Sequence, residues 1–396
     1  MIGWGKKAQA IFIVLTFIVL QVVYKNWLVD DDISLIDEPG LSLMRRSKVE
    51  KQYNADASLF RPFLDRINDY WITKGETEIK NHGSIKLSSR GRVGQYGILM
   101  SNGKGDNTLD DFEMVIKFAI YNNVGERSSS SSLSAPPLMG DGMAVVITPE
   151  NGFAKQKMMS SYAKKQYEHS SGGVLENNHD LMGFPKNLAG LAIVLDTYRN
   201  DKRTRIKAPL LHMQLNLDPQ KHSYSLETDG RMSTGHSLCG PLKLKKSVML
   251  GYETSLRVIY LETIGFLKVD IDYGGKGNWV ELFQRDSGFF LPKNKKTGQR
   301  FIGIGALNGQ LTQTVEVKGI ETHEFHLKAN QEGQQTEENF DYAKELQLLL
   351  ATEFQEHVRM SESEFDKWRS EKASEKITTD NGSHGLNPSP NKKRFL

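Results

Sequence analysis

The sequence predicts an all-β chain built around an antiparallel β-sandwich, and three stretches predict it. Phe112 to Tyr121 (FEMVIKFAIY) sets Phe112, Met114, Ile116, Phe118 and Ile120 on one face. Leu267, Val269, Ile271 and Tyr273 alternate with Lys268, Asp270 and Asp272, and Thr314 to Glu321 repeats the pattern. Such period-two alternation describes strands with one face on a core and the other in water. Glycine-rich turns between them point to two packed antiparallel sheets. The β-rich region, residues 54–328, is of a length that one sandwich can take up.

Before it lies a different kind of segment. Lys6 and Lys7 precede an uncharged apolar run, Ala8 to Tyr24, and Asp30 to Asp32 follow it. A basic flank before the run and an acidic one after place the N-terminus in the cytosol. The run is slightly short of the ~20 residues a bilayer takes, with Trp27 placed for the far interface. Gln21 to Val29 lacks the small-residue pair of a cleavage site, so residues 1–29 read as a signal-anchor, with a cleaved signal peptide as the rival. Either reading puts the bulk of the chain in the lumen. Asn381-Gly382-Ser383 is a glycosylation triplet compatible with that.

Two stretches interrupt the strands. Ser128 to Pro137 is serine-rich and reads as a loop, while Lys155 to Asp180 is basic, then polar, with room for a short helix. After Lys328 the composition turns to Glu, Gln, Lys and Ala. Tyr342, Leu346, Leu349, Leu350 and Phe354 then fall at helical spacing, with Phe365 and Trp368 as an extension. Residues 336–372 are expected to be helical. They form either a short coiled-coil stem, which would make a homo-oligomer, or a helix docked on the sandwich. Residues 378–396 read as a disordered tail, and no trafficking role attaches to Lys392 to Leu396.

The 51 Lys+Arg residues stand against 48 Asp+Glu, which gives no electrostatic case for nucleic acid. A single cysteine, Cys239, excludes an internal disulfide. No predicted strand carries carboxylates spaced for a retaining glycosidase, which holds its pair about 5–5.5 Å apart. Leu109 to Glu113 (LDDFE) comes nearest and falls short, and the serine-elbow, zinc-protease and phosphate-loop motifs are missing. The chain is not expected to be an enzyme.

The stretch with most chemistry is Gly190 to Asp201 (GLAIVLDTYRND). Leu191 to Leu195 is a strand apolar on both faces. It runs straight into Asp196, Tyr198 and Asn200, which are two apart and so lie on one side of an extended chain. This is either a polar turn with Asx-type capping or a cage for a cation that prefers oxygen.

With Gly140 to Glu150 (GDGMAVVITPE) and Leu226 to Arg231 (LETDGR), this stretch resembles the L-type lectins, the legume-lectin-like cargo receptors of the endoplasmic reticulum and Golgi. Leu87 to Asn102 and Phe301 to Thr312 extend the likeness over nearly all of the β-rich region. The resemblance implies a concanavalin A-like jelly roll holding calcium (Ca2+) through Asp196, the backbone carbonyl of Tyr198, Asn200 and Asp229. It further implies a high-mannose glycan held by Asp141, Asn200 and the loop Gly309, Gln310 and Leu311. Two positions depart from it: Gly94 stands where the family has serine, and Leu226 where it has histidine. The family's disulfide partner for Cys239 falls on Leu282. The expected function is calcium-dependent glycan binding in the early secretory pathway, for glycoprotein transport or quality control. The alternative is a lectin-derived membrane protein of the perinuclear endoplasmic reticulum, with a degraded sugar site, acting through protein partners.

Overall fold

The computed structural model describes residues 47–105, 109–122, 138–155, 160–175, 178–203, 205–328 and 341–354. The N-terminal run, the serine-rich stretch, residues 355–372 and the tail lie outside the described residues. Among the described residues, no helix is long and apolar enough to cross a membrane.

Among the described residues, fifteen strands are formed. They are β1 (Val49–Tyr53), β2 (Trp71–Gly75), β3 (Glu78–Ile79), β4 (Ile85–Ser88), β5 (Tyr96–Ser101), β6 (Asp111–Tyr121), β7 (Gly142–Thr148) and β8 (Gly190–Asp196). Then come β9 (Leu210–Asn216), β10 (His236–Lys243), β11 (Thr254–Leu261), β12 (Phe266–Asp272), β13 (Val280–Arg285), β14 (Phe301–Leu307) and β15 (Thr314–Leu327). One sheet has the order β13-β12-β11-β6-β15-β4-β3, with β1 also pairing β15. The other has the order β10-β9-β8-β7-β14-β5-β2. Every pairing is antiparallel.

The alternation read from the sequence sets the core. Phe112, Met114, Ile116, Phe118 and Ile120 meet Leu267, Val269 and Ile271 of the same sheet, and Met143, Val145, Leu191, Ile193 and Leu195 of the other. Each such side chain, fully buried, contributes about 1.5–3 kcal/mol through the hydrophobic effect.

The outer faces depart from the expectation of solvated strands. On the seven-stranded sheet, Ala144, Val146, Ala192 and Val194 are covered by Phe153, Tyr167, Leu181, Phe184 and Tyr224. Tyr167 lies on a helix, α2 (Ser161–Ser170), within the stretch read as having room for a short helix; the first long helix among the described residues is α1 (Phe63–Tyr70). This second layer is why β8 is apolar on both faces. On the eight-stranded sheet, Lys268, Asp270 and Asp272 are also buried. There Arg257 pairs with Asp270 at 2.6 Å and Lys51 with Glu113 at 2.7 Å, so charge is met by charge instead of water. Alternation identifies the polar face of a strand but not what lies over it.

The C-terminal helix α3 (Tyr342–Glu353) docks on that outer face, burying Leu346, Leu349 and Leu350 against Val49, Ile259, Leu261, Phe266 and Phe325. Of the two arrangements open for this segment, residues 342–354 take the docked one. Cys239 is half-buried and, like Leu282, packs against the main core. Burial pushes its thiol up to about 11, so it is not a reactive thiolate.

Candidate metal and carbohydrate site

Register brings the acidic residues together. Asp196 ends β8 and pairs with Gly142, the first residue of β7, so Asp141 stands beside it at the same end of the seven-stranded sheet. Leu307, the last residue of β14, pairs with Gly142 from the other side, which delivers the Gly309 loop to the same place. The fourth piece, Asp229, comes from a separate turn. It follows a single turn of 3-10 helix, Leu226–Thr228, and sits in the left-handed region at φ 50°. Aspartate tolerates that conformation better than most residues.

Hydrogen bonds stitch the two turns. Oδ1 of Asp229 accepts the backbone N–H of Asn200 at 2.7 Å, and Oδ2 accepts that of Asp201 at 3.1 Å. The Asn200 side-chain amide donates to the Leu226 carbonyl at 3.2 Å. Arg231 closes the contact from outside, reaching Asp201 at 2.6 Å. Within the first turn, Oδ1 of Asp196 accepts the Tyr198 N–H at 2.9 Å. That last bond is the Asx-type cap expected of a plain polar turn, so the turn reading holds as local geometry. It leaves one atom unexplained: Oδ2 of Asp196 is buried without any donor.

Electrostatics makes that atom informative. Asp196 is fully buried and Asp229 nearly so. Burial raises the Asp196 carboxyl well above its ordinary range, and the Asp229 carboxylate beside it raises it further, with a smaller push from Asp141. Two buried carboxylates in contact need a shared proton or a cation. Among the described residues no three His, Cys, Asp or Glu side chains gather at one point. A cation held here would have two carboxylates and would draw its remaining donors from amide and carbonyl oxygens, of the kind Asn200 and Tyr198 carry. An all-oxygen set of this kind suits a hard divalent ion such as calcium. The residues fit the ion.

Asp141 lies at the rim, where burial lifts its carboxyl to about 6. Its backbone carbonyl accepts both the N–H and the hydroxyl of Thr197, at 2.8 and 2.9 Å. The Thr197 hydroxyl also reaches the Gln313 side chain at 2.7 Å. Gly309 closes over the carboxylate, since a Cβ there would lie 2.6 Å from Oδ2 of Asp141. Leu311 lies near Gly140, and Gln310 is exposed on the same loop.

Gly94 joins this rim through its N–H, which donates to the Gly309 carbonyl at 3.3 Å. Its φ of 70° is left-handed, and open space lies where a side chain would go. Leu226 packs half-buried against the outer layer of the seven-stranded sheet. Both positions adjoin the site and neither offers it a polar side chain.

Sequence reasoning missed Thr197, Gln313, Arg231 and Asn308. The first three hold the loops as just described. Asn308 accepts the Gln313 N–H and donates to the carbonyls of Ser89 and Arg92. Thr197 and Arg231 were within reach, as they stand inside the two motifs; Gln313 and Asn308 carry no local signal.

A sandwich with an acidic cage at one sheet end, beside a glycine-lined carboxylate, defines a lectin-like class of protein. The legume-like lectin family model matches residues 50–332, and the chain belongs to that family. It is 45% identical over 377 residues to protein UIP5 of Saccharomyces cerevisiae, a match covering 94% of this chain and 82% of that protein. Among solved structures, the exoplasmic/lumenal domain of VIP36 in its Ca2+/Man-bound form is similar at a TM-score of 0.51 and 20% identity, covering 74% of this chain and 96% of that one. The Ca2+/Man2-bound form is similar at 0.50 and 21% identity, with the same coverage. These structural likenesses carry the fold.

Proposed function

We propose that this chain is a calcium-dependent binder of high-mannose-type glycans, acting on glycoproteins in the early secretory pathway. The observation that carries the reading is the buried Asp196–Asp229 pair, with one carboxylate oxygen lacking a donor, next to Asp141 under Gly309. Asp196, the Tyr198 carbonyl, Asn200 and Asp229 would hold the ion. When bound, calcium supplies the positive charge that lets both carboxylates stay ionised in a buried place. Asp141 and the second functionality of Asn200 then face a sugar, whose vicinal hydroxyls suit a charged acceptor beside an amide. The Gly309 to Leu311 loop presents backbone groups and an apolar edge. The VIP36 domain was crystallised with calcium and mannose, which supports the same pairing of ligands here.

The remaining expectations belong to this reading. Residues 1–29 anchor the chain, 54–328 form the lectin-like domain in the lumen, 336–372 continue the helical segment, and 378–396 form a tail.

The second reading is a sandwich that keeps the ion for stability and acts through protein partners. Gly94 and Leu226 favour it. Each lost hydrogen bond removes about 0.5–1.5 kcal/mol from a shallow site. Gly94 is not simply restored to serine, because its left-handed backbone opposes any side chain.

Isothermal titration of the full-length chain, first with calcium and then with a mannose oligosaccharide, separates the readings. The first expects heat in both steps, with the sugar heat lost in chelator. Calcium heat without sugar heat supports the second. No calcium heat removes both.

A further inference from the structure

Tyr224 lies beneath the two turns, and the mechanism above gives it nothing to do. It is 2% exposed and packs in the layer that holds Ala192 and Val194, on the same face of β8 as Asp196. Its backbone N–H donates to the Lys186 carbonyl at 2.7 Å, which fixes its place. Its ring stands 6.3 Å from that of His212, and the His212 ring in turn abuts Gly230, the residue after Asp229. The Tyr224 hydroxyl is buried without a hydrogen-bond partner.

That contrasts with two other tyrosines of this chain, Tyr260 in the core and the half-buried Tyr342. The Tyr260 hydroxyl accepts the Leu291 N–H at 3.0 Å, and the Tyr342 hydroxyl donates to the Phe325 carbonyl at 2.7 Å. A buried hydroxyl with no partner is unfavourable, so native chains keep one where something meets it. The Tyr224 hydroxyl and Oδ2 of Asp196 are both buried without a partner, and the Asp196 charge acts on the phenol. Burial keeps the phenol protonated, and the charges of Asp196, Asp229 and Asp141 push in the same direction. Carboxylates bear on the hydroxyl from both turns and from the rim.

We propose that the Tyr224 hydroxyl is a further oxygen of the cation site, closing it from the core side and meeting the shell that Oδ2 of Asp196 faces. This rests on the calcium reading above. Phenol oxygen is a hard, neutral donor, so it completes a shell without adding charge to two carboxylates already in contact. The ring also packs the loop that ends in Asp229, so ion binding would be felt directly by a tyrosine chromophore. His212, buried and with neither ring nitrogen partnered, stands behind it as an uncharged backing.

The test is Tyr224→Phe in the full-length chain, with Asp196→Ala as the variant that loses the ion in any case. Calcium titration, melting temperature with and without calcium, and the near-ultraviolet tyrosine difference spectrum are measured. The expected result is calcium affinity lowered at least about tenfold, with an unchanged or higher melting temperature in chelator, because the orphan hydroxyl is gone. The tyrosine difference signal on adding calcium should shrink. Unchanged affinity with an unchanged difference signal overturns the role of Tyr224 and leaves the calcium reading standing. So does a lower melting temperature in chelator with unaltered affinity, which marks a packing role alone. A wild-type chain that takes up no calcium removes both.

Discussion

The Asp229 carboxylate receives the backbone N–H of Asn200 at 2.7 Å, although the two residues lie on separate turns. Its other oxygen receives the N–H of Asp201. One side chain thus holds open the far turn before any ion is present. An ion there would find its amide and carbonyl donors already placed, which lowers the ordering cost of binding.

Replacing Asp229 with Ala is therefore expected to act twice. Two part-buried backbone donors lose their acceptor, at up to about 1–3 kcal/mol each, so the melting temperature in chelator falls. Calcium binding is lost as well. Asp196→Ala should differ: it relieves a buried charge pair, so its chelated form is less affected while its calcium heat disappears. Paired thermal melts and titrations of the two variants check this difference.

Gly309→Ala should separate sugar from metal. The added Cβ would sit 2.6 Å from Oδ2 of Asp141, so the loop or the carboxylate must shift. The contact lies at the rim and not at Asp196 or Asp229. Mannose-resin retention should drop at least about tenfold, the loss expected of one missing charge-assisted hydrogen bond, while the calcium isotherm stays as in the wild type. Loss of both together would show that the rim and the cage are not independent.

The cage predicts how stability depends on pH. Asp141, raised to about 6, and Asp196, raised well above its ordinary range, bind protons more tightly folded than unfolded. Their stabilisation is present at low pH and lost as pH rises through the folded values. Asp111 and Asp270, also raised by burial, act in the same direction. His212 acts oppositely: burial lowers it from 6.5 to about 4, so its stabilisation is present above 6.5 and lost on falling to about 4. That loss is about 3 kcal/mol. Asp201, Asp218, Glu262 and Glu316, held below their ordinary values by hydrogen-bonded cations or amides, lose theirs only in stronger acid. Melting temperature in chelator should peak near pH 6, and the increment given by calcium should grow from pH 5 to pH 8. A calcium increment independent of pH would argue against Asp196 as a ligand.

How much of this was legible depended on the length of chain over which each feature is written. Strand faces repeat every two residues, so Phe112 to Ile120 and Leu267 to Ile271 declared the core directly. Asp196, Tyr198 and Asn200 share a side for the same reason. Asp229 comes from a distant turn and was placed only by resemblance to a family. Gln313 and Tyr224 look like ordinary loop residues; their importance arises from register and burial, which have no local sign. Lys268 and Asp270 were read as solvated because polarity was taken for exposure. The ion pairs with Arg257 and Glu281, together with α3 on the neighbouring part of that face, supply what water would have.

The docked helix gives the last prediction. Asp341 caps α3, accepting the N–H groups of Ala343 at 3.1 Å and Lys344 at 3.3 Å. Glu345 ties it to the start of β1, accepting the Lys48 N–H at 2.8 Å, and its carbonyl accepts the Ser47 hydroxyl at the same distance. Phe354, at the far end, meets Phe325 edge-on at 6.4 Å and lies under Lys51 at 4.5 Å. Leu350→Ala should cost about 2–5 kcal/mol, as expected of a buried leucine that leaves a cavity. Asp341→Ala should cost about 1 kcal/mol through the lost cap. Because α3 packs on the eight-stranded sheet and the acidic cage belongs to the seven-stranded one, neither variant should alter the calcium isotherm. If Leu350→Ala instead left stability unchanged and altered oligomeric state in sedimentation, the helix would serve a partner copy and not its own sandwich.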